Sequence, residues 1–159
     1  MPATIHASAV LVGARAALIR GPSGAGKSRL ALELIEAGRR SGILFTRLVG
    51  DDRVHLEAAG GRLLVRPAPA LAGLIESRGL GILRRDYEPC AVAGLVVDLD
   101  AADAQRLPEK CEVIIEGIKL PRLPIALGGA PLSAVLAMLV PSGLQGPPLG
   151  AQKAGLAID

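Results

Sequence analysis

A single α/β domain, with a mixed sheet around one central helix, is the fold this sequence predicts. Three observations carry that expectation. The run Gly21-Pro22-Ser23-Gly24-Ala25-Gly26-Lys27-Ser28 fits G-x-x-x-x-G-K-[ST] and lies between an apolar stretch, Ala16 to Ile19, and an apolar helical segment, Leu30 to Ala37. That strand–loop–helix setting is what the pattern needs. Hairpin-like pairs of short apolar runs stand both before and after the helix, which argues against a plain alternation of strands and helices. A length of 159 residues, 50% of them apolar, is enough for one domain with a real core,.

The elements follow in chain order. Ser8 to Val12 and Ala16 to Ile19 read as two strands joined at Gly13-Ala14-Arg15, a hairpin whose second strand delivers the glycine-rich loop,. Ser28 to about Arg39 reads as the next helix, with Leu30, Leu34 and Ala37 on one stripe, Ala31 and Ile35 widening it, and Gly38 and Gly42 bracketing its end,. Ile43 to Val49 is a strand that runs into Asp51-Asp52. Val54 to Glu57 and Arg62 to Val65 flank Ala58-Ala59-Gly60-Gly61 as a second hairpin. Pro67 and Pro69 interrupt the chain before a short segment, Ala70 to Ile75, and Gly79 and Gly81 mark a loop. Val92 to Leu99 and Val113 to Ile118 are apolar strands. The two prolines of Leu120 to Pro124 suit an edge or a bend,. Pro131 to Val140 reads as a closing helix with proline in its first turn. The expected domain therefore covers residues 1–140, and the Gly- and Pro-rich stretch 141–159 reads as a flexible tail,.

Composition narrows the function. Phe45 and Tyr87 are the only aromatic residues, so the base stacking that single-strand nucleic-acid binders rely on has almost no material here. The net charge of +3 is scattered, with Arg39-Arg40 and Arg84-Arg85 as short pairs that read as solvated surface,. No nucleic-acid partner is expected. Cys90 and Cys111 have no metal-ligand spacing and read as buried or idle thiols and not as a bridge,. No apolar run of about 18 residues free of charge occurs, and no signal pattern opens the chain. The expectation is a cytoplasmic protein with no membrane association.

The chemistry starts at the loop. Its glycines let successive backbone N–H groups turn toward phosphates, and the following helix adds its free amides and dipole. ATP is the expected ligand, held by Gly21, Pro22, Ser23, Gly24, Ala25, Gly26, Lys27 and Ser28, with Lys27 at the β- and γ-phosphates and Ser28 offering its hydroxyl to Mg²⁺. Phosphoryl transfer also needs a carboxylate near the metal and a group to orient or deprotonate the acceptor. Two strand ends offer one: Leu48-Val49-Gly50-Asp51-Asp52 and Leu95-Val96-Val97-Asp98. Adjacent carboxylates repel, so Asp51 and Asp52 need a metal or cation between them unless they only cap a turn. Ile75-Glu76-Ser77-Arg78-Gly79-Leu80-Gly81-Ile82 sets a carboxylate, an arginine and two glycines in one loop that could complete a phosphate site. His6 precedes the first strand, and His55 alternates with Val54 and Leu56 as a strand-face residue.

In this order the pieces resemble HPr kinase/phosphorylase, specifically its C-terminal catalytic domain. The family's loop and the helix start after it match Gly21–Ser28 and Ala31-Leu32-Glu33-Leu34. Its L-V-A-D-D-x-V matches Leu48-Val49-Gly50-Asp51-Asp52-Arg53-Val54, and its I-E-x-R-G-x-G-I matches Ile75 to Ile82. Two weaker matches are Gln105-Arg106-Leu107 and Leu120-Pro121-Arg122-Leu123-Pro124. The resemblance implies the mixed-sheet fold of the HPr kinase and PEP carboxykinase-like proteins. It implies a regulatory serine kinase that uses ATP and Mg²⁺ to phosphorylate an HPr-type phosphocarrier of the phosphotransferase system. By the same resemblance Ser28 and Glu76 would bind Mg²⁺ and Lys27 the phosphates. Asp52 would take the serine proton, Asp51 would support the metal or that base, and His6 and Arg106 would belong to the active site.

The departures bear on activity and assembly. Residues Ser41 to Thr46 form an insertion, and Met1 stands directly before the first strand, where longer members carry a regulatory domain. After Pro124 the family's basic residues, linked to dephosphorylation, are replaced by Ile125-Ala126-Leu127-Gly128-Gly129-Ala130. The resemblance therefore implies the kinase and leaves the reverse phosphorylase activity unsupported. The family's hexamer is not carried over, and a homo-oligomer of some size stays open. Two competing readings remain at this level: a P-loop kinase of a small metabolite, and a non-catalytic ATP-binding sensor.

Overall fold

The computed structural model describes residues 3–104 and 111–140. The chain begins with three short strands, β1 (Ala3–His6), β2 (Ser8–Val12) and β3 (Arg15–Arg20), and the glycine-rich loop then leads into α1 (Lys27–Ser41). Three strands follow, β4 (Thr46–Gly50), β5 (Arg53–Ala59) and β6 (Arg62–Pro67). A 3₁₀ turn at Pro69–Leu71 precedes β7 (Leu74–Ser77), β8 (Gly81–Arg84) and the long β9 (Ala91–Leu99). β10 (Glu112–Ile115), β11 (Ile118–Ile125) and α2 (Leu132–Leu139) complete the described chain.

The main sheet runs β1-β5-β6-β9-β3-β2-β4, with β11 paired to β9 and β10 to β11; β7 and β8 form a separate two-stranded sheet. Only β3 and β11 lie parallel to β9, and every other pair is antiparallel. The mixed sheet around one loop-bearing helix is therefore the architecture found. The contiguous apolar stretch of β3 has a simple cause: a strand covered on both faces needs no polar alternation. Ala17 and Ile19 enter a core with Leu30 and Leu34 of α1, Leu95 and Val97 of β9, and Val135 of α2. Ala16 and Leu18 point the other way, into a second core with Val49, Leu56, Leu63 and Val65. Burying a side chain such as Ile19 or Leu34 contributes about 2 kcal/mol, so the first core fixes β3 and α1 firmly relative to each other,.

Several boundaries differ from the sequence expectation. Val113 to Ile118 is not one strand but the end of β10, a turn and the start of β11. Glu116 (φ 50°) and Gly117 (φ 77°) make the reversal, with the two positive φ values that a tight hairpin requires,; an apolar run hid it. The proline-bearing Leu120 to Pro124 is no bend but part of β11, paired to β10 through Pro121 and to β9 from Arg122 onward, so that each proline has a partner strand on one side only, as the edge reading expects,. The Gly79–Gly81 loop is the tip of the β7–β8 hairpin. His6 does not precede the sheet but ends β1, opposite Arg53. The buried stripe of α1 passes through Leu30, Ala31, Leu34 and Gly38, with Ala37 on its flank. Among the described residues no helix is long and apolar enough to cross a membrane. The expected tail, 141–159, lies outside the described residues.

Candidate active site

The glycine-rich loop sits where the parallel pair β3–β9 ends. Gly21 stands against Leu99 of β9: a Cβ at Gly21 would meet Leu99 at 3.1 Å. Gly24 (φ 82°) and Gly26 (φ 100°) take left-handed backbone that a side chain would oppose,, and the Ala25 amide donates to the Pro22 carbonyl at 3.1 Å to close the turn. Gly26 then starts the helix, with Leu30 N–H donating to its carbonyl. The first-turn amides of α1, which have no carbonyl partner within the helix, face the loop. The Lys27 ammonium donates to the carbonyls of Gly21 at 2.8 Å and Pro22 at 3.1 Å. It is thus a cation on the loop with no carboxylate partner among the described residues. Anion recognition is what this arrangement can do.

The carboxylate pair at the end of β4 is divided by burial. Asp51 is 5% exposed and Asp52 has a side chain 69% exposed. Asp51 accepts a hydrogen bond from the Ser8 hydroxyl at 2.5 Å, from the Ser28 hydroxyl at 2.8 and 3.0 Å to its two oxygens, and from the Glu76 amide at 3.1 Å. One buried charge therefore joins β2, the start of α1 and β7, and it is affordable only because three donors surround it. Asp52 is at the apex of a three-residue turn, closed by Arg53 N–H donating to the Asp51 carbonyl at 2.8 Å, and has φ 66°. A non-glycine residue in that region is uncommon, and aspartate is among those that adopt it most readily. The turn throws the second carboxylate outward instead of beside the first.

His6 stands next to Asp52, with Nδ1 3.8 Å from its carboxylate. Arg53 Nη2 lies 2.8 Å from His6 Nε2. A guanidinium can only donate, so Nε2 is the accepting nitrogen in that bond and the ring proton belongs on Nδ1, facing Asp52. Arg53 thereby holds the ring without pairing with Asp52 itself. The register of β1 against β5 explains the grouping, because it sets His6 opposite Arg53.

The second strand-end aspartate is spoken for. Arg20 donates to both oxygens of Asp98 at 2.7 and 2.8 Å, and Arg122 donates to Asp98 at 2.5 Å and to Asp103 at 2.6 and 3.0 Å. Burial alone would raise the Asp98 carboxyl, but the hydrogen bonds and charges of Arg20 and Arg122 outweigh it and hold it below the usual carboxylate range. The hydrogen bond from Arg122 lowers Asp103 in the same way. An aspartate already shared by two guanidinium groups is a poor metal ligand, so Asp98 is not the counterpart of Asp51. It clamps the ends of β3 and β9 to the middle of β11.

Glu76 lies on β7 with its amide on Asp51 and its side chain exposed. Ser28 Oγ, Asp51 and Glu76 form a set of hard oxygen donors, the type Mg²⁺ takes. Among the described residues no group of three His, Cys, Asp or Glu side chains could hold a metal alone. Arg106 lies outside the described residues. The arginine of the loop that the sequence offered for completing a phosphate site, Arg78, stands at the β7–β8 tip and brings Nη2 to 3.4 Å from where a Gly24 Cβ would stand. Its guanidinium lies over the glycine-rich loop. The sequence had set Arg78 beside Glu76, but only the fold carries the hairpin tip back across the loop.

The chain is similar to known proteins in sequence and in fold. The family model described as HPr Serine kinase C-terminal domain matches residues 2–87. The HPr kinase/phosphorylase of an Exiguobacterium strain is 48% identical over 67 residues, 42% of this chain and 19% of that protein. That of Streptococcus thermophilus is 33% identical over 135 residues, 77% of this chain and 41% of that protein. The chain thus spans less than half the length of these curated relatives. A solved structure of the Hpr(Ser) kinase/phosphatase from Coxiella burnetii superposes with a TM-score of 0.69 at 24% identity, covering 87% of this chain and 93% of that one, and so shares the fold.

Proposed function

Because the chain belongs to the HPr serine kinase C-terminal domain family, we propose that it transfers the γ-phosphoryl group of ATP to a serine of an HPr-type phosphocarrier. The observation that carries the reading is the division of labour in the Asp pair. Asp51 is buried and bonded to the loop's Ser28, while Asp52, the next residue, is turned outward beside His6.

In this reading the backbone amides of Gly24 to Ser28 and the Lys27 ammonium bind the triphosphate. Mg²⁺, held by Ser28 and Glu76 with Asp51 behind them, would neutralise charge on the phosphate oxygens. Asp51 fixes the Ser28 hydroxyl and the Glu76 backbone in one frame, which is a positioning role. Asp52 accepts the proton of the attacking serine hydroxyl as the new P–O bond forms, because that hydroxyl is a weak nucleophile at neutral pH. His6, with its Nδ1 proton toward Asp52, orients that carboxylate. Arg78 lies over the loop where charge spreads onto the transferring group, a place where a fixed cation stabilises the transition state. Arg106 is assigned to the site on the family resemblance. The assignment is to the forward reaction, since Ile125 to Ala130 offers no basic residue.

The test is transfer from γ-labelled ATP with Mg²⁺ to a purified HPr-type carrier, in its native form and with its target serine changed to alanine. Label on the native carrier alone is the expected result. No label on either, with ATP binding measured separately, would overturn the kinase reading.

A further inference from the structure

Phe45 and Tyr87 are the only aromatic residues of the chain, and neither is spent on the core. They are 46% and 41% exposed. Both stand at β4, the last strand of the main sheet: Phe45 directly before it and Tyr87 bridged to its Leu48. An aromatic ring is among the largest apolar pieces a fold can bury, so two of them left at one sheet edge point to another use. Beside Tyr87 opens a cleft of about 470 Å³, lined also by Arg47, Gly73, Arg84, Arg85 and Asp86. That volume is within the range of small-molecule sites.

The walls are held in place. Tyr87 rests on Gly73, where an added Cβ would come within 3.1 Å of the ring. The backbone around Tyr87 is tied on both sides: Arg85 N–H donates to the Gly73 carbonyl at 2.8 Å, and Glu88 N–H donates to the Leu48 carbonyl at 2.8 Å. Arg47 is fixed between the Phe45 ring, 4.8 Å from its guanidinium carbon, and Glu88, at 3.2 Å. Groups seated before a ligand arrives lower the ordering cost of binding.

The charges of the cleft describe what it takes. Arg47 is matched by Glu88, but neither Arg84 nor Arg85 has a carboxylate partner among the described residues, and Asp86 has no cation partner there. A single phosphate suits the guanidinium forks, whereas the Asp86 carboxylate repels a longer polyphosphate. The Tyr87 ring offers a face to a planar base, and a base amino group or a ribose hydroxyl can donate to Asp86.

We propose that this cleft binds a nucleoside monophosphate, with its base on Tyr87, its phosphate on Arg84 and Arg85, and a hydroxyl or amino donor on Asp86. The site is separate from the glycine-rich loop. Arg84 stands opposite Leu74 at the open end of the β7–β8 hairpin, while Arg78 at the other end lies over Gly24. The same hairpin carries Glu76, whose amide is on Asp51, so a ligand at its base grips the element that reaches the loop.

The chain has one tyrosine and no tryptophan, so tyrosine-labelled full chain gives carbon-13 ring signals from Tyr87 alone. The probe is adenosine monophosphate at physiological salt, in a Lys27→Ala background that weakens the loop. Saturable movement of the Tyr87 ring signals is expected. Adenosine should move the same signals with an affinity at least about tenfold weaker, the scale of one charged hydrogen bond. Adding Arg84→Ala should weaken the monophosphate at least about tenfold for the same reason, whereas adding Arg40→Ala, equal in charge but on α1, should change nothing. Should Arg84→Ala not melt like its parent, Arg84→Gln, which keeps most of the stem, serves in its place with the same loss expected. Ring signals that stay still under the monophosphate, equal affinity for adenosine, or equal losses from the Arg84 and Arg40 variants would overturn the proposal. Because no phosphoryl transfer is measured, failure of the kinase reading and failure of this one are told apart.

Discussion

Replacing Ser8 by alanine tests whether Asp51 is the joint of the active site. The Ser8 hydroxyl is fully buried and donates to Asp51 Oδ1 at 2.5 Å. A hydrogen bond to a charged group contributes about 1.5–3 kcal/mol. Asp51 Oδ1 keeps a second donor in the variant, Ser28 Oγ at 2.8 Å, and Oδ2 keeps the Glu76 amide at 3.1 Å. No acceptor is orphaned, so the loss belongs near the middle of that range, about 2 kcal/mol. For a domain of this size that is a fall in Tm of roughly 6 °C. Thermal unfolding followed by circular dichroism reads it directly. Transfer to the carrier should also fall, by about fivefold to tenfold, because Ser28 and Glu76 lose part of their common anchor. A variant that melts within about 1 °C of the parent, against the loss expected here, would refute the reasoning, since Asp51 would then not depend on β2 for its place.

Asp52→Asn should remove transfer by at least about 100-fold, the scale of a lost general base. It should leave ATP binding and Tm unchanged, because the side chain is exposed and asparagine tolerates the same φ,; label transfer and nucleotide titration check the two halves. Arg78→Ala should lower kcat by about 10- to 100-fold with little change in stability, read in the same transfer assay with a parallel melt. Asp98 supplies a pH dependence. Its pKa is lowered in the folded state, so the stability it contributes is fully present above the unfolded value near 3.8 and is lost as pH falls through the lower folded value. Asp98→Asn should therefore flatten the acid limb of a Tm-against-pH profile below about pH 4. It should also cost about 3 kcal/mol at neutral pH by leaving Arg20 and Arg122 without their shared partner.

The sequence by itself determined whatever is written in consecutive residues. The loop from Gly21 to Ser28, the helix after it and the apolar core strands β3 and β9 are short-range patterns, because backbone turning, helix periodicity and two-sided burial each act over a few positions. Asp51 and Asp52 were visible as a pair for the same reason. Their different fates were not, since nothing in two adjacent aspartates says which is buried. That was decided by Ser8, Ser28 and Glu76, which stand 43, 23 and 25 residues away along the chain. Asp98 stood in the sequence as a strand-end residue and only an alternative to the pair; what closes on it, Arg20 and Arg122, is 78 and 24 residues distant. The turn at Glu116-Gly117 and the path of Arg78 over Gly24 were likewise beyond local reading. Sheet register and hairpin direction are settled by which faces can be buried together, and that is a property of the whole fold.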